Sequence, residues 1–181
     1  QKKILEDVYD VKPFRVQTIT LERIFVDKLF AAEAYVRKAE IKSKAFEAAK
    51  HIYDLAVMGR LTKINSLINN EEALDKLLDI RMKEEMDRLD GVPGLTPKEF
   101  TFFEEIKDNK MIISAYETMQ KQYVLRESDR IPYEAALEAL ANIQQALKKN
   151  AAWNSAMAPD AESYNEALSE QEISNLGGRD R

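Results

Sequence analysis

The chain has 181 residues, a mass of 20.8 kDa and a net charge of −5. It is 45% hydrophobic and 33% charged and contains no cysteine. That is enough for one domain with a real core, and the missing cysteines exclude a disulfide scaffold, a thiolate zinc cluster and a thiol nucleophile. No run approaches the roughly 18 apolar residues of a spanning helix, and the acidic start is unlike a signal peptide, so a soluble, cytoplasmic chain is expected.

Five glycines and five prolines are few, which favours long helices over a turn-rich β fold. Residues 1–63 carry 13 Lys/Arg against 9 Asp/Glu, and the remainder 14 against 23. The asymmetry permits an anionic ligand near the N-terminal third and argues against a nucleic-acid surface spread over the whole domain. A solvated surface of mixed charge would also give it.

Over residues 4–19, Val8, Tyr9, Val11, Phe14, Val16 and Ile19 form a broken alternation interrupted by Pro13, which predicts one or two short strands. These need partners, because an isolated hairpin is marginal in water. Thr20 is a helix cap, and Leu21, Ile24, Phe25, Lys28, Leu29 and Ala32 predict a helix to about Lys38. Phe46, Ala49, Tyr53 and Val57, widened by Ile52, Leu55 and Ala56, predict a second helix that Gly59 ends. Leu61, Ile64, Leu67 and Ile68 give a short third, and Leu74, Leu77, Leu78, Met82, Met86 and Leu89 a fourth, to about Asp90.

Gly91-Val92-Pro93-Gly94-Leu95 is the clearest break. A capping box of Thr96, Pro97 and Glu99 then predicts a helix with Phe100, Phe103 and Ile106 on its apolar face. Further helices are expected from Met111 to about Leu125 and from Pro132 through Leu147. Residues 159–181 read as a loose tail. The expected class is therefore mainly α, a multi-helix bundle preceded by one or two short β-strands, divided as 1–19, 20–158 and 159–181.

Lys28 lies within the apolar stripe of the first helix. Its stem either snorkels past the stripe to water or carries its ammonium to a carboxylate or phosphate partner. Asp54 lies at the buried edge of the second helix. The two could form a plain ion pair between helices, or stand at the rim of a cleft with Lys28 on a phosphate and Asp54 orienting a hydroxyl or the lysine. His51, the only histidine, excludes a histidine metal cluster and reads more simply as a structural hydrogen bonder. The acidic residues of 71–90 and 99–117 read as solvated helix faces with i,i+4 partners.

Pro13-Phe14-Arg15-Val16-Gln17-Thr18-Ile19-Thr20-Leu21-Glu22-Arg23-Ile24-Phe25-Val26-Asp27-Lys28-Leu29, a basic link, then Ala49-Lys50-His51-Ile52-Tyr53-Asp54-Leu55 resembles the AbiEii-type nucleotidyltransferase toxins of abortive-infection and toxin–antitoxin systems. The resemblance covers about residues 9–58. It implies that Lys28 and Asp54 are catalytic, that Lys28 also binds the nucleotide, and that Arg15, Lys50 and His51 contact substrate. Asp27 stands where the family more often has Glu.

The superfamily also carries a Gly-Ser or Gly-Gly turn and a strand with an Asp-x-Asp pair that holds Mg²⁺ and the nucleoside triphosphate. Nothing here matches it, since Asp7-Val8-Tyr9-Asp10 has the wrong spacing. The expectation is a C-terminal portion of a nucleotidyltransferase, or a degenerate homologue, inactive by itself and without cofactor, whose parent uses Mg²⁺ and an NTP on an RNA or protein acceptor and has an antitoxin partner. The alternative readings are a non-catalytic helical protein-interaction module and an RNA-binding domain using the basic link Arg37 to Lys50.

Overall fold

A computed structural model describes residues 18–86, 92 and 94–156. The described residues are mainly helical and contain no strand. Thr20 is extended, and its hydroxyl accepts the Arg23 amide at 3.2 Å, starting α1 (Leu21–Val36). This satisfies one of the amides that a helix start leaves without an intrahelical partner. A turn leads to α2 (Lys42–Met58), which ends at Gly59.

Helix α3 (Thr62–Ile68) follows, then α4 (Glu71–Glu85), capped by the Asn70 side chain on the Ala73 amide at 3.0 Å. A 3₁₀ turn (Pro97–Glu99) precedes the short α5 (Phe102–Glu105) and α6 (Lys110–Tyr123). A second 3₁₀ turn (Glu127–Asp129), α7 (Tyr133–Leu147) and α8 (Ala151–Ser155) complete the order.

Helix α2 is the central element, packing on α1, α6 and α7. Its inward positions include Ala45, Ala48, Ala49 and Ala56, all at most 1% exposed. Four methyl side chains let neighbouring helices come close, while Ile52 and Leu55 provide the bulk. Where α2 meets α7, a Cβ on Gly59 would lie 2.7 Å from Ile143 Cδ1, so only glycine fits without a shift. Among the described residues no helix is long and apolar enough to cross a membrane.

Several expectations change. The strands of residues 4–19 fall almost wholly outside the described residues, and Thr18 and Ile19 are not in a strand. The buried face of α2 is centred on its alanines, with Ile52 and Leu55; Phe46 and Tyr53 lie at its margin and Val57 is exposed. Alanine carries too little apolar signal to have marked that face. The helix expected from Thr96 is two pieces, broken at Phe100, whose backbone is extended, although the capping box itself is present.

The break has a physical cause in α1. The fully buried carboxylate of Glu33 accepts the Thr101 and Phe102 amides, each at 2.9 Å, and so starts α5 from outside. Arg37 Nε donates to the same carboxylate at 2.7 Å, balancing its charge. A through-going helix would spend those amides on its own carbonyls and leave Glu33 buried with fewer donors, which is costly.

The acidic residues of 71–90 are not uniformly solvated either. Glu72–Lys76 and Asp79–Lys83 are exposed i,i+4 pairs as expected, but Arg81 and Glu85 are ion-paired with each other and only 1% exposed. Arg81 Nε also reaches Asp27 of α1 at 3.1 Å, and Asp27 takes Arg23 Nε at 3.1 Å. The guanidinium lies 4.9 Å from the centroid of Phe30. This network joins α4 to the face of α1 next to Lys28.

Candidate functional site

Glu47, Lys50, His51 and Asp54 stand at i, i+3, i+4 and i+7 of α2, so helical periodicity alone puts them on one face. Lys28 faces them from α1; Met119 and Tyr123 of α6, followed by Val124, close the other side. Together with Tyr53 they line a cleft of about 400 Å³. Such a volume lies within the usual range of small-molecule sites, about 300–1,000 Å³.

Lys28 Nζ is 2.6 Å from Asp54 Oδ2, the two side chains being 27% and 39% exposed. The lysine stem thus follows the apolar stripe while its ammonium reaches the cleft. Lys50 Nζ pairs with Glu47 at 2.7 Å and lies 5.9 Å from the ring centroids of both Phe46 and Tyr123. Both pairs are open to water on one side, where ion pairs contribute roughly 0–1 kcal/mol to stability.

His51 stacks on Tyr35 of α1, with centroids 5.4 Å apart and ring planes 24° apart. Burial, then the nearby charge of Lys28, outweighs Glu47 and pushes the imidazole down to about 4. The ring is therefore neutral at physiological pH, able to accept one hydrogen bond and donate another. Its Nδ1 is buried with no hydrogen-bond partner among the described residues. Tyr53 donates its hydroxyl to the Asp129 carbonyl at 2.9 Å. Its own ionisation is pushed up by burial and then by Asp129 and Asp54.

The structure brings Lys28, Lys50, His51 and Asp54 to one cleft, while Arg15 lies outside the described residues. The Lys28–Asp54 contact satisfies both sequence readings, a plain ion pair and a cleft rim. Glu47 was missed although its spacing from His51 and Asp54 announces it. Tyr123 and Met119 were missed because nothing local marks residues 69 and 65 positions away from Asp54 as its neighbours.

Chemically, the cleft holds two ammonium groups, each paired with a carboxylate, and a neutral imidazole; an anion such as a phosphate would have to take the place of Asp54 or Glu47 on a lysine. A hard divalent cation wants several oxygen ligands. Among the described residues no group of three or more His, Asp or Glu could hold a metal ion, so the protein groups here form no preformed cage for a cation.

Compared with known families, the chain matches the model of the nucleotidyl transferase AbiEii toxin, type IV toxin–antitoxin system, over residues 2–149. The match takes in α1 through α7, well beyond the residues 9–58 that carry the resemblance in sequence. No curated protein and no solved structure matches the chain.

Proposed function

The chain belongs to the AbiEii nucleotidyl transferase toxin family of type IV toxin–antitoxin systems, and from that premise we propose that its cleft holds the phosphates of a nucleoside triphosphate during nucleotidyl transfer to an acceptor hydroxyl on RNA or protein. The observation that carries the reading is the meeting of Lys28 and Asp54 at 2.6 Å on a solvent-accessible cleft that Lys50 and His51 share. A buried structural ion pair would need no second lysine and no hollow beside it.

In this reading Lys28 leaves Asp54 for the triphosphate and neutralises charge as pyrophosphate departs. The acceptor oxygen forms the new bond to the α-phosphorus, the bond to the bridging oxygen breaks, and the freed Asp54 carboxylate holds the acceptor hydroxyl or accepts its proton. Lys50 and His51 contact the phosphates or the acceptor. Mg²⁺, when bound, supplies charge neutralisation at the phosphates; it is assigned to no residue of this chain, whose sequence has no Asp-x-Asp pair. In this reading the carboxylates for that metal are supplied from outside this chain, which would be inactive by itself. The antitoxin is the genetic counterpart that restrains the toxin, in a role consistent with abortive infection and phage defence.

The test is Lys28→Ala and Asp54→Ala in the protein expressed from its complete reading frame. Each should abolish growth inhibition and lower nucleotidyl transfer by at least about 10²-fold, with thermal midpoints close to wild type because the pair is half exposed. Undiminished toxicity in both variants would remove the reading.

A further inference from the structure

We propose that Tyr123 is the stacking platform for the nucleobase of the nucleotide bound in this cleft, the residue that favours a nucleotide over a bare polyphosphate. The inference rests on the nucleotide reading above and adds the part of the ligand that the lysines do not explain.

The argument begins with the pattern of α6. Ile112, Tyr116, Met119 and Tyr123 follow at i, i+4, i+7 and i+11, one continuous stripe of an amphipathic helix. The first three are at most 2% exposed against the core, yet Tyr123 is 63% exposed. By position its ring belongs to the covered face. It is bare because α6 ends there and α2 opposes it with the margin residues Phe46 and Lys50 rather than with its alanines.

The exposed ring is nevertheless braced. Phe46 lies 5.9 Å away with the planes at 57°, and Lys50 Nζ lies 5.9 Å from its centroid, within reach of a cation–π interaction. Met119 and Val124, both nearly buried, form an apolar floor beside it. Tyr123 thus presents a held aromatic surface at the side of a cleft whose opposite wall carries Lys28 and Asp54.

A nucleotide has both complements: a charged end for the lysines and a flat aromatic base that gains from stacking on a tyrosine whatever its hydrogen-bonding edge. Inorganic polyphosphate has only the first. That difference separates the platform from the phosphate site.

The protein expressed from its complete reading frame is titrated calorimetrically with ATP, CTP, GTP and UTP in turn, and with inorganic tripolyphosphate. Tyr123→Ala should weaken the best-bound nucleotide about 10-fold, the scale of one lost stacking contact, and leave tripolyphosphate unchanged. Tyr123→Phe should match wild type, and Lys28→Ala should weaken both ligand types. Unchanged nucleotide affinity in Tyr123→Ala, or an equal loss for tripolyphosphate, overturns the platform while the phosphate site stands. Failure of wild type to bind any of the five ligands overturns the nucleotide reading and the platform together.

Discussion

Replacing Arg81 by Met should be among the most destabilising single changes on α4, although the residue sits in a stretch of sequence that looks like solvated surface. Arg81 is 1% exposed, and its guanidinium bridges Glu85, also 1% exposed, to Asp27 of α1. Methionine keeps the stem's packing but removes the charge. Among the described residues Glu85 then retains only the Val92 amide, which donates to Oε1 at 2.9 Å, while Asp27 keeps Arg23. An uncompensated buried carboxylate costs about 3–5 kcal/mol, a large fraction of a typical domain's stability. The double variant Arg81→Met/Glu85→Gln removes both charges and leaves an amide oxygen for Val92, so it should recover to within about 2 kcal/mol of wild type. Urea unfolding followed by fluorescence of the single tryptophan, Trp153, which is 5% exposed, reads all three proteins. A loss below about 1 kcal/mol in Arg81→Met, or a double variant weaker than the single, would refute the reasoning.

His51 makes stability depend on pH. Its folded-state value of about 4 lies below the ordinary 6.5, so between those values the unfolded chain holds more protons on this ring than the folded protein does. Its contribution is therefore complete above pH 6.5 and falls as the pH drops toward 4, by on the order of 3 kcal/mol at most. His51→Gln should flatten the dependence of the urea midpoint across that window, and an unchanged slope would count against the burial assigned to the imidazole. Glu33→Ala should cost about 3 kcal/mol or more, because it strips two amides of α5 of their acceptor and leaves Arg37 without its carboxylate. Hydrogen exchange at Thr101 and Phe102 should accelerate ahead of that in α2, and equal protection in the variant would show that the cap is not what starts α5.

Much of the helical order is legible in the chain. The cap at Thr20, the stop at Gly59 and the 3.6-residue recurrence of Leu, Ile and Phe are local signals, and the bounds of α1, α2 and α7 follow from them within a few residues, while the end expected for α4 near Asp90 lies outside the described residues. Lys28 and Asp54 are legible for a related reason: each is a charge set into an apolar stripe, an inconsistency that a sequence shows. Periodicity also places Glu47, Lys50, His51 and Asp54 on one face before any coordinates are known.

Other features depend on partners far away in the chain. The solvation of Glu33, Arg81 and Glu85 is decided by groups that arrive from other elements, and nothing in their neighbourhood distinguishes them from the exposed Glu72 and Lys83. Phe100 breaks a helix whose capping box is sound because Glu33, 67 positions earlier, supplies the acceptor for a new start. Tyr123 joins the cleft because α6 packs on α2 and ends there. Local propensity and periodicity determine which segments are helical and which face each one buries; whether a charge is buried or solvated is a free energy of its complete surroundings, and only the packed chain supplies those.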